Sequence, residues 1–551
     1  MKSNLLHISF RTTAIIVLYI SSTQYLAAQA TSRKLNGGNE FDYGNCIIQT
    51  PDKGICIVGS TNSFGSGNYD VYVIKLDSNY VQQWSKTFDW GKNEYGSCAV
   101  STRDNGIVIT GYCTTSPYYD LSADAFILKI NAQGKVLWCK TIGGTECDNM
   151  NGIIENKKGE LIVAGSTSSF GSGLNDIYLA KLTAKGALVW THTAGTPDED
   201  IAYSITETKN GFGICGFAGG FVPFVARYDT SGNPLWCKTI SDNGSSGVYN
   251  SIIQTNDNGF ALTGYTRTSR DGYDVLTTKI NSNGAGEWCI TLGNSGDDKG
   301  YSLMQDKNGD YVINGYADYA RNGYQQSLYL IKLSAAGILT WNKTITEAYD
   351  ATGTSVCGSN ENGYVVTGCA WKTTDGYLYK PDIYLAKFDA LGTICGIANT
   401  QNDLKNIRPT IAAITLAVST GGVLTDNIVT SNTGGDFVDL CSGKSSYQSV
   451  DKSAQPANQI NQANINAVKF KLLQNPVNNG TLTIQYNTTV QKNMQFSLVN
   501  MQGNVVYAKK IQLSPQSEVV SLDIHTNANG YYLLNMSDGI TQQTIKFIKA
   551  N

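Results

Sequence analysis

The stretch Asp176 to Trp190, DIYLAKLTAKGALVW, is one copy of a unit that recurs along the chain. Related copies open at Asp70 (DVYVIKLDSNYVQQW), Asp124 (DAFILKINAQGKVLW), Asp274 (DVLTTKINSNGAGEW) and Ser327 (SLYLIKLSAAGILTW). A degenerate copy opens at Val222, and the last, at Asp382, has Gly396 where the tryptophan should stand. The basic residues of the copies, Lys75, Lys129, Lys181, Arg227, Lys279, Lys332 and Lys387, are 54, 52, 46, 52, 53 and 55 residues apart. A period of this length is the signature of a repeat architecture and outranks any single motif.

Each repeat divides into four short strand-like runs. In the third they are 151–155, 161–166, 176–182 and 187–191. β-Branched and aromatic residues dominate these runs. Asn-Gly and Asp-x-Gly turns such as Asn105-Gly106 and Asn308-Gly309 separate them, supplying the positive φ of a tight hairpin. A four-stranded antiparallel meander of this length is a propeller blade. The fold class expected is therefore all-β, a seven-bladed β-propeller followed by a linker and a small C-terminal β-sandwich. Blade seven lacks its tryptophan strand. The segment Arg33 to Gly38 resembles Cys139 to Gly144, which directly succeeds Trp138. It is therefore expected to supply the outermost strand of the last blade and close the ring. Residues 393–397 completing that blade themselves is the alternative.

Residues 1–30 read as a signal peptide: Lys2 and Arg11 lead, 13–20 is a short apolar core, and Ala28-Gln29-Ala30 offers a cleavage site. The propeller is placed at 31–397. Residues 398–466 break the period and read as a partly ordered bridging segment and flexible linker, since 442–466 has almost no large apolar residue. Alternation returns from Val468 in TLTIQY, MQFSLVN, NVVYAKKI, EVVSLDI, YYLLNM and TIKFIK, a β-sandwich at 467–551. That segment carries Asn475-Pro476, Gly503 in MQGNVV, Gly530-Tyr531 and a closing strand with Lys546 and Lys549. In this order it resembles the type A C-terminal sorting domain of the type IX secretion system of Bacteroidetes, with Leu-Gln-Asn-Pro where Tyr/Phe-Pro-Asn-Pro is usual. The resemblance implies type IX secretion machinery as a partner and a secreted or outer cell-surface location, and says nothing of the cargo. No transmembrane segment is expected in the mature chain.

Only 15% of residues are charged, and no basic patch carries interleaved aromatics, so no nucleic acid partner is expected. Beyond residue 30 the only histidines are His192 and His525, which argues against a Ser-His-Asp or Cys-His centre and a histidine-rich metal site. The 13 cysteines form no CxxC pair; most read as buried thiols, with Cys395 and Cys441 as one candidate pair. The repeated tryptophans and the Asp and Lys of each DxxxxK read as architecture, the acid and the base pairing across blades. Function should instead show where the repeats differ. The loops between second and third strands are aromatic in blades two, five, six and seven, giving Tyr118, Tyr119, Tyr273, Tyr319, Tyr324, Trp371, Tyr377 and Tyr379 as candidates. The loops between blades are acidic and add Asp148, Asp198, Asp200 and Asp297. Aromatics beside carboxylates suit sugar rings. The sequence thus points to a secreted or surface module binding a glycan or a protein through one loop face. A polysaccharide lyase or hydrolase using paired carboxylates is the alternative, and a structural adhesin a third. No catalytic residue, resident metal or cofactor is assigned. Acidic loops holding Ca²⁺ through oxygen ligands are the alternative, although no DxDxDG is present.

Overall fold

The computed structural model describes residues 31–66, 68–115, 122–241, 246–269, 272–294, 296–318, 326–345, 350–374 and 378–395. From 403 onward it describes the perimeter strands and the strands of the second unit, with Ser514 and Ile524. Residues 1–30, and the candidates Tyr118, Tyr119, Tyr319, Tyr324, Tyr377, Asn475, Pro476 and Gly503, lie outside them. The chain forms two compact units, divided between Pro456 and Ala457.

The first unit holds seven antiparallel sheets in chain order, each an up-and-down meander. The first strands of the blades run Asp42–Gln49, Asn93–Ser101, Asp148–Glu155, Ile201–Thr208, Gly247–Gln254, Asp298–Gln305 and Ala351–Gly358. They neighbour one another around the axis. Every one carries a β-bulge at the same place, which leaves Asn45, Ser97, Asn151, Tyr203, Asn250, Tyr301 and Thr354 as the extra residues. The bulges link the blades. Asn45 Nδ2 donates to Gly96 O at 2.8 Å, Asn151 to Ala202 O at 2.9 Å, Asn250 to Gly300 O at 2.8 Å, and Thr354 Oγ1 back to Gly44 O at 2.5 Å. The residue after the bulge accepts a backbone N–H from the next blade: Ser355 from Ile47, Ser204 from Ile252, Ser251 from Leu303, Ser302 from Val356. Cys46 takes the same place, its Sγ accepting from Ala99 N at 3.3 Å, so a thiol there serves as a serine would. Eleven cysteines are free thiols and Cys395 is disulfide-bonded; Cys441 lies outside the described residues.

Apolar side chains fill the space between neighbouring blades, as Ile57, Tyr72 and Ile74 of blade one do against Val365, Ile383 and Leu385 of blade seven. The repeated tryptophans stand at these joints. Each lies against the hairpin glycine of the following blade: Trp84 on Gly134, Trp138 on Gly186, Trp190 on Gly232, Trp236 on Gly284, Trp288 on Gly337 and Trp341 on Gly392. The repeated lysines are buried and pair with an acid of their own blade's first hairpin, not across blades. Lys75–Asp52, Lys129–Asp104, Lys181–Glu160, Lys279–Asp257, Lys332–Asp306 and Lys387–Glu361 span 2.6–2.9 Å.

The ring closes through the N-terminus. Ser32–Asn36 pairs antiparallel with Leu378–Phe388, Leu35 opposite Tyr384, as the fourth strand of blade seven. Ser32 therefore stands opposite Lys387, where other blades set a tryptophan. The following blade compensates. Its hairpin carries Tyr80 in place of the glycine, in left-handed backbone at φ 62° and only 4% exposed. Lys34 Nζ donates to Tyr80 O, and Lys387 Nζ lies 4.6 Å from the ring centre.

Beyond the blades, six short strands between 403 and 439 pair with the sheets. Asp403–Asn406 pairs with the outer strand of blade five, Thr410–Ala413 with blade four, Ala417–Ser419 with blade three, Val423–Asp426 with blade two, Thr430–Thr433 with blade one and Val438–Asp439 with Ser32–Asn36 of blade seven. The chain thus runs back around the perimeter, adding a fifth strand to six of the seven sheets.

The second unit is a two-sheet sandwich. Lys469–Leu472, Thr481–Asn487 and Val519–Asp523 form one sheet, and Val505–Leu513, Lys492–Asn500, Gly530–Ser537 and Gln542–Lys549 the other. Leu482, Ile484, Phe496, Leu498, Leu522, Leu534 and Met536 fill its core. Gly530, Tyr531, Lys546 and Lys549 lie on its last two strands. Among the described residues, no helix is long and apolar enough to cross a membrane.

Candidate functional site: an aromatic cleft on the loop face

The first acid of an inner strand ties the loop face together. In blade one Asp42 accepts from Gly38 N at 2.8 Å and from the hydroxyls of Thr61 and Ser63. In blade three Asp148 accepts from Gly144 N at 2.8 Å and Ser169 Oγ at 2.7 Å. Asp200 accepts from Thr196 N and Oγ1, and Asp298 from Asn294 N at 2.7 Å. Burial raises these carboxyls, Asp42 to about 7 and Asp298 to about 8, with Asp148 and Asp200 moving the same way. Asp148 and Asp200 are thus buried tethers of the loops. Asp198 stands exposed beside Asp200, and Asp297 is half-buried.

Two aromatic clusters stand on this face. One spans blades five and six. Lys299 Nζ lies 4.7 Å from the ring centre of Tyr265, 5.1 Å from that of Tyr273 and 5.9 Å from that of Tyr316. Tyr301 packs 5.8 Å from Tyr316, and Tyr273 N donates to Asp297 Oδ1 at 3.1 Å, so two of the candidates meet here. Lysine already occupies the rings of this cluster. Trp371 is half-buried on the second strand of blade seven, opposite Pro381, and Tyr379 lies on the next strand.

The other cluster lines an open cleft of about 580 Å³ between blades one and two. Its walls are Phe41, Tyr43, Tyr69, Tyr95 and Tyr112, with Glu40, Asn45, Ser60, Asn62, Asn68 and Ser97. The rings form a continuous ladder: Phe41 to Tyr43 at 6.4 Å, Tyr43 to Tyr69 at 6.4 Å, Tyr69 to Tyr95 at 4.8 Å, and Tyr95 to Tyr112 at 4.8 Å with an interplanar angle of 17°. The four tyrosines are half-buried. Burial and the hydroxyl contact with Tyr69 raise the Tyr43 phenol, keeping it neutral and able to donate. Lys380 Nζ holds Glu40 Oε1 at 2.7 Å at the rim. Among the described residues, no histidine or cysteine lines the cleft. None of the described loop candidates is among its lining residues. Tyr43 and Tyr95 share one repeat position, which holds Asn149, Ile201, Val248, Lys299 and Thr352 in the other blades. That departure between repeats is the signal sequence reasoning could have used.

Residues 475–550 match the secretion system C-terminal sorting domain. The chain therefore carries a type IX sorting domain, and its place is outside the cell, secreted or on the outer surface. No curated protein matches it. Among solved structures, the chain is similar to a putative exo-β-1,3-galactanase from Bifidobacterium bifidum s17, with 13% identity over 50% of this chain and 93% of that one, at a TM-score of 0.29. It is also similar to a puromycin hydrolase, with 10% identity over 68% of this chain and 57% of that one, at 0.38.

Proposed function

We propose that the propeller is a carbohydrate-binding module, exported by the type IX machinery and binding glycan in the cleft between blades one and two. The observation that supports this reading is the ladder of half-buried rings beside amides, hydroxyls and one carboxylate. Ring faces take the CH faces of a sugar, and Asn, Ser and Glu take its hydroxyls. The cleft suits binding better than turnover, because Glu40 is the one carboxylate among its described lining residues, and of the pair Asp198 and Asp200 that the lyase or hydrolase alternative would use, Asp200 is buried in a loop tether while Asp198 stands exposed.

The test titrates the full chain with a panel of soluble polysaccharides, reading binding and polymer length together. Tyr95→Ala and Tyr69→Ala should each weaken binding about tenfold, on the order of one lost stacking contact, with the melting temperature within about 2 °C of the parent. Retained affinity in both variants moves the site elsewhere. Polymer shortening by the parent chain rejects the module reading.

A further inference from the structure

Four of the seven joints between blades share one construction. The aspartate opening a third strand faces the acid opening the next blade's first strand: Asp124 and Asp148, Asp176 and Asp200, Asp274 and Asp298, Asp382 and Asp42. A glycine separates each pair. A Cβ on Gly143, Gly195, Gly293 or Gly37 would stand within 3.0 Å of both carboxylates. The joint between blades one and two departs from this. Asp70 and Glu94 supply the pair, but Asp89 occupies the glycine position, so three carboxylates share the space. Ligand oxygens of the three lie within 4.8 Å of one another, and the residues are 1%, 8% and 0% exposed in chain order.

Their hydrogen bonds leave the centre unsatisfied. Ser66 N donates to Asp70 Oδ2 at 2.9 Å, Gly91 N to Asp89 Oδ1 at 2.6 Å, Ser66 Oγ to Asp89 Oδ2, and Lys92 N to Glu94 Oε1 at 2.9 Å. Asp70 Oδ1 and Glu94 Oε2 are buried without a partner. A third orphan lies beside them. Thr87, two residues before Asp89 on the same face of its strand, is 0% exposed with Oγ1 unbonded. A Cβ on Gly65 would overlap Asp70 Oδ2 and stand 3.2 Å from Thr87 Oγ1. No lysine or arginine offsets the charge of Asp70 or Glu94 among the described residues; Lys92 is spent on Asp124, at 2.9 Å.

We propose that this joint binds a divalent cation of the calcium class through Asp70, Asp89 and Glu94. Burying carboxylates without a counter-charge is costly, and a metal ion is one way of compensating them. Hard carboxylate and hydroxyl oxygens suit Ca²⁺, which accepts irregular geometry and completes its shell with water. The exposed Ser66 gives the site an edge on the loop face.

The test compares the full chain with Asp89→Gly, which installs the residue that four other joints carry. Both are stripped with EDTA, then titrated with CaCl₂ in a calorimeter and melted with and without the ion. The parent should take up one Ca²⁺ with Kd in or below the range of about 10⁻⁴–10⁻³ M found for extracellular sites, and its melting temperature should rise on binding. Asp89→Gly should lose both responses, yet melt in EDTA no lower than the parent, since it removes a buried charge. Should that variant fail to fold, Asp89→Asn, of the same size, replaces it. A parent chain without saturable Ca²⁺ binding, or a variant that titrates as the parent does, overturns the proposal.

Discussion

Asp298 opens the inner strand of blade six with its carboxyl fully buried, facing Asp274 and accepting from Asn294 N at 2.7 Å. Loss of water, and to a lesser degree the charges of Asp274, Asp318 and Asp297, push its pKa to about 8, against an ordinary value near 3.8. The folded chain therefore holds a proton there that the unfolded chain has already released above about pH 4. Stability from this group is present in full below the unfolded pKa and is lost as pH rises through 4 to 8. Asp298→Asn keeps the shape and the accepting oxygen but cannot ionise. In EDTA, its melting temperature at pH 8 should exceed the parent's by about 2–5 °C, and the gap should narrow toward pH 5. A gap independent of pH would show that the carboxyl is compensated by another group. Asp148, Asp200 and Asp298 are as acidic in the sequence as Asp198, yet three are tethers and one is exposed. The tethers share one repeat position with Asp42 and Glu94, and Asp198 falls two residues off it. That register was the available signal; a count of acids per loop does not carry it.

Between neighbouring blades, the tryptophan of one and the hairpin glycine of the next form one element of the joint. Gly337 sits at φ 77°, and a Cβ there would stand 2.7 Å from Trp288. Trp288 Nε1 also donates to Ala335 O at 3.2 Å. Gly337→Val asks a β-branched residue to adopt left-handed backbone while displacing a ring, so it should cost about 2–4 kcal/mol. Trp288→Ala, removing a half-buried ring, should cost about 2–3 kcal/mol. Measured by denaturant melting, the double variant should cost clearly less than the two added together, since both break one contact; full additivity would separate the two effects. This element was legible in the sequence, because the period of about fifty residues, the four runs and the Asn-Gly turns all arise from strand geometry repeated many times. The perimeter strands were not. They are two to four residues long, too short for alternation to register. They recur where 403, 410, 417, 423 and 430 meet equivalent blade positions, a step near seven residues that does not echo the blades.

At the scale of the molecule, a propeller is stable only as a closed ring, and here one short segment holds the closure from two sides. Ser32–Asn36 makes five paired positions with blade seven on its inner edge, and Lys34 and Leu35 pair with Asp439 and Val438 on its outer edge. It is at once the fourth strand of the last blade and the anchor for the end of the perimeter strands. Its Lys34 also reaches blade one at Tyr80 O, at 2.9 Å. The inner bonds from Thr354 to Gly44 and from Ile47 to Ser355 cross the same seam near the axis, but they do not depend on this strand. A chain that begins at Gly37 should therefore still fold, with the inner seam intact and an open sheet edge outside it. Its melting temperature should fall by about 5 °C or more. Amide exchange should quicken in Leu378–Phe388 and Val438–Asp439, while blades three and four keep the parent's protection. Uniform loss of protection around the ring would mean that the strand nucleates the whole propeller, and an unchanged melting point would mean that the seam is held by the inner bonds alone.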